Sequence, residues 1–280
     1  MIVSLDVPLT TEQVLAFARH PSDDPKVEKK AHFLLRRVSK TVRDYAMIQG
    51  GDRVAVAVSG GKDSLSLLDL LVRHRAIAKD KYELAALHVD TEPPCGGCLS
   101  ARELGILCDG YGVPLAVERV SEVDLRDNKR GEITCFGCAF HRRKALFFAA
   151  HRMGCNRIAF AHHRDDAATT AMLNLYRHGT LLGLDPVRVM FGGALTLIRP
   201  LYDVEERRLA EFNRARAIPE QVSRCPNAAT SERVRMARIL RELERECPAA
   251  KANLLKVIAR AACGNTEGTR SSTNSANERE

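Results

Sequence analysis

The sequence predicts an α/β fold built on a doubly wound parallel sheet, with a basic helix before it and further helices after it. Apolar runs of strand length alternate with segments of helical spacing across short connections, the pattern of a parallel sheet with crossover helices. The run "VAVAV" also fills every position from Val54 to Val58 with an apolar side chain, as a strand covered on both faces requires. Strands are expected at 53–58, 84–90, 114–120, 157–162 and 195–199, and helices at 65–75, 98–111, 139–153, 166–178 and 205–216. Residues 231–262 read as two more helices. The expected domains are an N-terminal helical segment 1–48, an α/β domain 49–222, a C-terminal helical extension 223–263 and a disordered tail 264–280 rich in Ser, Thr and Asn. No internal repeat is visible.

Ahead of the first strand, Lys26, Lys29, Lys30, Arg36, Arg37, Lys40 and Arg43 fall on one amphipathic helix. They account for much of the net charge of +8. Such a face is either solvated or a surface for nucleic acid. Aromatic residues are 5% of the chain and Trp is absent. That composition argues against a platform for stacked bases and for contacts to shape and phosphate. No segment reaches the roughly 18 apolar residues of a membrane span, and the start "MIVSLDVPLTTEQ" lacks a basic region followed by an apolar one. A cytoplasmic protein without a membrane partner is expected.

The first strand delivers the chain to "SGGKDS", and leucines with helical spacing follow. The turn therefore lies at a strand's carboxyl end and a helix's amino end, where glycines let backbone N–H groups approach an anion and Lys62 adds a mobile cation. Phosphate is the natural guest. The G-x-x-x-x-G-K-[ST] loop is excluded, because it needs glycine at Val56 and a hydroxyl at Asp63. Ser59, Gly60, Gly61, Lys62, Asp63 and Ser64 instead resemble the PP-loop of enzymes that split ATP into AMP and pyrophosphate.

A second polar cluster, His162, His163, Arg164, Asp165 and Asp166, stands where the fourth strand stops and a helix begins. It is expected on the same sheet edge, with nucleotide contacts and carboxylates for magnesium. Arg199 is a further candidate on that edge. Of nine cysteines, Cys135 and Cys138 precede a helix carrying Arg142, Arg143 and Lys144, and Cys95 and Cys98 follow the second strand. In a chain with no secretory signal, such pairs point to metal or redox work rather than disulfides. A four-cysteine zinc site is one arrangement, although the 36 residues between the pairs exceed the usual spacing. Cys225 is another candidate ligand, and Cys108, Cys155, Cys247 and Cys263 read as packing or surface thiols.

The order "VAVAVSGGKDS", "GEITCFGCAFHRRKAL", "RIAFAHHRDDAATTAML", "LIRPL" and "SRCPN", over residues 26–258, resembles the tRNA 2-thiocytidine synthetase family among the iron-sulfur tRNA thiolases. The resemblance implies a PP-loop (adenine nucleotide alpha hydrolase-like) domain, with ATP and Mg2+ adenylating a pyrimidine C2 oxygen that sulfur then replaces. It implies a [4Fe-4S] cluster on Cys135, Cys138 and Cys225, phosphate contacts from residues 59–64, and nucleotide contacts from His162 and Arg164. Asp63 and Asp166 are then the catalytic, magnesium-binding carboxylates. Implied partners are tRNA, a sulfur donor (a cysteine desulfurase system or sulfide) and a second copy of the chain. Members often carry Cys-x-x-Cys near Cys225, whereas "SRCPN" has one cysteine, as in related uridine thiolases. A 2-thiouridine-forming thiolase and a non-catalytic, zinc-stabilised RNA-binding protein are the alternatives.

If the basic helix meets RNA phosphates, neutralising Lys29, Lys30, Arg36 and Arg37 together weakens tRNA binding and flattens its salt dependence, because lost contacts release fewer counterions. An unchanged slope in a salt titration would assign that face to solvent.

Overall fold

The computed structural model describes residues 12, 14, 24–91, 99–125, 133–218 and 231–268. Helix α1 (Pro25–Asp44) begins after Asp24, whose carboxylate accepts from the Lys26 amide at 2.8 Å. Proline suits that start, since its missing N–H falls where the helix has no acceptor to offer. Val27, Ala31, Leu34, Val38 and Val42 recur at three- and four-residue spacing and are buried, while Lys26, Lys29, Arg36, Arg37, Lys40 and Arg43 are exposed.

Six strands form one sheet: β1 (Arg53–Ala57), β2 (Glu83–Thr91), β3 (Leu115–Val120), β4 (Arg157–Ala159), β5 (Val187–Met190) and β6 (Leu195–Ile198), in the order β3-β2-β1-β4-β6-β5. The neighbouring pairs are parallel except β5 with β6. Crossovers run through α2 (Lys62–Ile77), α3 (Ala101–Gly110) and α4 (Cys135–Arg152), and α6 (Glu206–Ala215) follows the last strand. From β1 the chain winds outward to β3, then returns to β4 on the other side of β1. The carboxyl ends of β1 and β4 thus flank the point where winding reverses, where doubly wound sheets open a crevice.

The alternation along the strands divides the core in two. Val54, Val56, Val58, Leu84 and Ala86 pack with α1, α2, α3 and α6 on one face. Ala55, Ala85, Leu87, Val89 and Ile158 pack with Leu146, Ala149 and Ala150 of α4 on the other. Helix α2 buries Leu65, Leu67, Leu68, Leu70 and Leu71, so it is apolar nearly all round. At the opposite end of the sheet, Asp52 accepts from the Gln49 amide at 2.7 Å, Asn156 Nδ2 at 2.7 Å and Arg157 Nε at 3.0 Å, which ties the start of β1 to the start of β4.

Inside α2, Asp69 is 1% exposed and meets Arg73 at 2.6 Å and Arg216 at 2.7 Å. Tyr111, just past α3, donates its hydroxyl to Asp69 at 3.4 Å, and Arg73 forks onto Glu28 of α1 at 2.7 and 3.0 Å. One chain of charges therefore joins four helical elements. Burial works against the Arg73 guanidinium, but Glu28 and Asp69 outweigh it and its pKa lies above the usual value.

Three features depart from the sequence reading. The ladder of β4 stops at Ala159; Phe160 still donates to the Ile198 carbonyl at 3.0 Å, and residues 161–163 then leave the sheet. Strand β5 was not expected. "VRVMFGGALTLI" is a hairpin whose turn takes Gly192 at φ 64° and Gly193 at φ 98°, values that two consecutive glycines adopt without strain. Finally, helices α5 (Arg164–His178), α7 (Glu232–Glu246) and α8 (Ala250–Gly268) group as a second compact unit, and α8 runs past the expected start of the tail at Gly264. That unit buries Ala167, Ala168, Ala171, Met236 and Leu240, and Lys251 joins Asp165 at 2.5 Å and Glu244 at 2.7 Å. Among the described residues no helix is long and apolar enough to cross a membrane.

Replacing Asp69 by Ala strands the Arg73 and Arg216 charges in the core, and unfolding stability is expected to fall by about 3–5 kcal/mol. The urea midpoint measures this, and a loss under about 1 kcal/mol would mean the network contributes only packing.

Candidate active site

After β1 the chain leaves the ladder at Val58, and Gly60 adopts φ 81°, a left-handed conformation that a side chain would strain. The loop then closes on its own hydroxyls. The Ser59 amide donates to Ser64 Oγ at 3.1 Å, the Gly61 amide to Ser59 Oγ at 3.3 Å, and the Ser64 hydroxyl to the Gly61 carbonyl at 2.8 Å. Gly61 caps α2 with no side chain of its own. The amino end of α2, with its leading amides and dipole, is thereby presented as an anion site.

This end opens onto a cavity of about 620 Å³, within the range of small-molecule sites, roughly 300–1,000 Å³. Ser59, Gly61, Lys62, Asp63 and Ser64 line it from the loop, His162 from beyond β4, and Arg142 and Arg143 from α4. Leu87, Val89, Leu146 and Phe160 supply apolar wall. Three cations and one carboxylate around an apolar wall suit a polyanion carrying a ring, as a nucleotide does.

Side chains the sequence did not single out hold these groups. Asn213 of α6, 1% exposed, accepts from the Ser66 hydroxyl and donates to Asp63 Oδ1 at 3.4 Å, which orients the loop carboxylate. Its signal was an amide on the apolar stripe Leu209, Phe212 of an amphipathic helix. His88 of β2 donates Nδ1–H to the Val58 carbonyl at 2.8 Å, just before the loop, and burial lowers its pKa below the usual 6.5. His162 stacks on Phe160 at 5.8 Å, and its Nδ1 accepts from Arg199 Nε at 3.4 Å, so the neutral ring carries its proton on Nε2 as a donor. Arg199 thus acts on that edge through His162.

The other expected residues are carried by other elements. His163 is buried at the end of the same segment, whereas Arg164, Asp165 and Asp166 begin α5 in the second unit. There Asp166 accepts from Arg233 at 2.8 Å. Cys135 and Cys138 open α4 one turn apart, the first exposed and the second half-buried. Thr134 caps that helix by accepting the Gly137 amide at 3.0 Å, and a Cβ at Gly137 would lie 3.1 Å from Thr134 Oγ1. Cys95, Cys98 and Cys225 lie outside the described residues, and among the described residues no three Cys, His, Asp or Glu side chains are grouped to hold a metal. Cys108 and Cys155 are buried, as a packing role requires, and burial pushes the Cys108 thiol up to about 12.

Residues 30–236 match the family described as PP-loop domain. The chain is 38% identical over 236 residues to the tRNA-cytidine(32) 2-sulfurtransferase of Geobacter metallireducens, covering 83% of this chain and 91% of the relative. It is 39% identical over 225 residues to the protein of the same name from Geobacter sulfurreducens, covering 79% and 86%. Among solved structures, the U34-tRNA thiolase NcsA from Methanococcus maripaludis, with its [4Fe-4S] cluster, superposes with a TM-score of 0.68 at 24% identity, covering 84% of this chain and 79% of that one. That last likeness is one of fold.

His74, held by the Tyr82 hydroxyl at 2.9 Å, is also buried with a lowered pKa. The unfolded chain binds protons on His74 and His88 at higher pH than the folded one, so their contribution to stability is full above about pH 6.5 and is lost as pH falls below it. The melting temperature is expected to drop between about pH 7 and about pH 5. The His74→Gln, His88→Asn double variant should show a shallower drop, and equal slopes would place the acid sensitivity elsewhere.

Proposed function

We propose, for a chain that belongs to the PP-loop family and within it to the tRNA-cytidine(32) 2-sulfurtransferases, an ATP-dependent thiolation of tRNA in which a cytidine C2 oxygen is adenylated and then replaced by sulfur. The observation that carries the reading is one cavity lined jointly by the 59–64 loop and by α4, the helix that begins with Cys135 and Cys138.

On this reading the loop amides and Lys62 hold the β- and γ-phosphates of ATP. Asp63, oriented by Asn213, offers a carboxylate to the magnesium that accompanies them. His162 donates from Nε2 to the nucleotide. The cytidine C2 oxygen attacks the α-phosphorus and pyrophosphate leaves with the electron pair of the broken P–O bond. Lys62, Arg142 and Arg143 balance the charge that develops. A sulfur nucleophile then adds at C2, and the C–O bond breaks with AMP as the leaving group, which a bare oxygen is not.

The thiols of Cys135 and Cys138 fit an iron-sulfur cluster, being accessible and placed at a helix amino end where a negatively charged group is favoured. Together with Cys225 they would be the three thiolates that hold a [4Fe-4S] cluster, which would supply an open iron as a binding point for the sulfur donor. Work in the cytoplasm, sulfur from a cysteine desulfurase system or free sulfide, and pairing with a second copy complete the reading.

Lys62→Ala and Asp63→Ala are each expected to lower pyrophosphate release from ATP and tRNA by roughly a hundredfold while the fold persists. Cys135→Ala should lose iron and 2-thiocytidine, measured by mass spectrometry of tRNA nucleosides, yet keep ATP binding. Undiminished pyrophosphate release in both loop variants would sink the reading.

A further inference from the structure

The chain has nine phenylalanines and no tryptophan, a composition that argues against a stacking surface. Folding gathers the few rings it has. Along α4, residues Cys135, Ala139, Arg142 and Leu146 form one row at helical spacing, and Phe136, Phe140, Arg143 and Phe147 form the next. Ala139, Arg142, Arg143 and Leu146 line the cavity, so the phenylalanine row runs along its border. Phe136 is 77% exposed and Phe140 50%. Phe147 meets Phe191 edge to face at 5.6 Å, and Phe191, 64% exposed, is held at φ 52° in the β5–β6 turn. Left-handed backbone is costly for a bulky side chain, and here it sets one more ring against the row.

The charge around these rings selects the partner. Residues 133–152 contain His141, Arg142, Arg143 and Lys144 and no Asp or Glu. A second copy docked on the same face would bring cations against cations, whereas single-stranded RNA offers phosphates for the cations and flat bases for the rings. Chemistry at C2 also requires a base drawn out of its stack, a cost that a new stacking partner offsets. Resting on the thiolase reading, we propose that Phe136 and Phe140 are a stacking platform for unpaired bases of the tRNA loop, with Arg143 taking phosphate, and that the platform steers the target cytidine to the cavity.

Because the chain has no tryptophan, Phe136→Trp or Phe140→Trp installs a single tryptophan at the platform, read by exciting it selectively over the tyrosines. The full chain is titrated with a tRNA anticodon stem-loop containing cytidine 32, and with the same RNA abasic at that position. Emission is expected to be quenched by the first and much less by the second. The Phe136→Ala, Phe140→Ala double variant should bind the stem-loop at least about tenfold more weakly, with ATP binding unchanged. Phe→Leu at both sites should lose as much as Ala, and Phe→Tyr should restore binding. Equal affinity of the Ala variant, or no quenching, overturns the platform while leaving the thiolase reading intact if 2-thiocytidine still forms. Wild-type self-association that the Ala variant abolishes in sedimentation assigns the row to a second copy and also overturns it. A wild-type chain that binds no RNA overturns both.

Discussion

A buried carboxylate on helix α2 sets the position of everything around it. Leucines on nearly every side of that helix give it burial without direction, since aliphatic packing tolerates small rotations and slides. Asp69 supplies the direction. It has to satisfy Arg73, Arg216 and Tyr111 at once, and those partners arrive from α2 itself, from the end of α6 and from the end of α3. A shift of α2 by one residue would leave charges unpaired in the core, a cost that hydrophobic burial could not recover. The register of α2 fixes where its first turn stands, and that turn lines the cavity with Lys62, Asp63 and Ser64.

The site follows from topology combined with this registration. Strands β1 and β4 are neighbours, so the loop after β1 and the segment after β4 reach the same crevice. Helix α4 leads into β4 and covers the opposite face of the sheet, which brings Arg142 and Arg143 to that crevice from the other side of the loop. Two crossovers thus contribute to one cavity, one bearing the 59–64 loop and the other the cysteine pair. A reaction with an adenylation half and a sulfur half uses that arrangement directly.

The parts of this design carried by local chemistry were legible in the sequence. The valine and alanine run of β1, the glycines of the loop, the basic helix α1 and the crossovers all follow from periodicity and turn residues within about a dozen positions. What escaped depends on contacts between distant segments. Asn213 bonds to Ser66 and Asp63 across some 150 positions, and His88 reaches Val58 across 30. The run from His162 to Asp166 reads as one cluster in sequence, but the chain passes within it from the segment after β4 into helix α5, where Asp166 accepts from Arg233. Low aromatic content likewise concealed that the rings share one helix row, because composition discards position. The β5 hairpin was legible in its Gly-Gly turn and was missed because the expected pattern was wholly parallel.

The two faces of β1 differ in side-chain size, with Val54 and Val56 toward α1, α2, α3 and α6, and Ala55 and Ala57 toward α4. The valine face can exchange one branched aliphatic for another, with neighbouring side chains adjusting by rotamer. Ala55 and Ala57 have less slack, since a larger side chain at either would press on α4, the helix that carries Arg142 to the cavity wall. Tolerance to substitution in β1 is therefore expected to be asymmetric. The valine side of this strand can be rewritten with other branched aliphatics, while its alanine side is held small by a helix whose distance from the strand shapes the cavity wall.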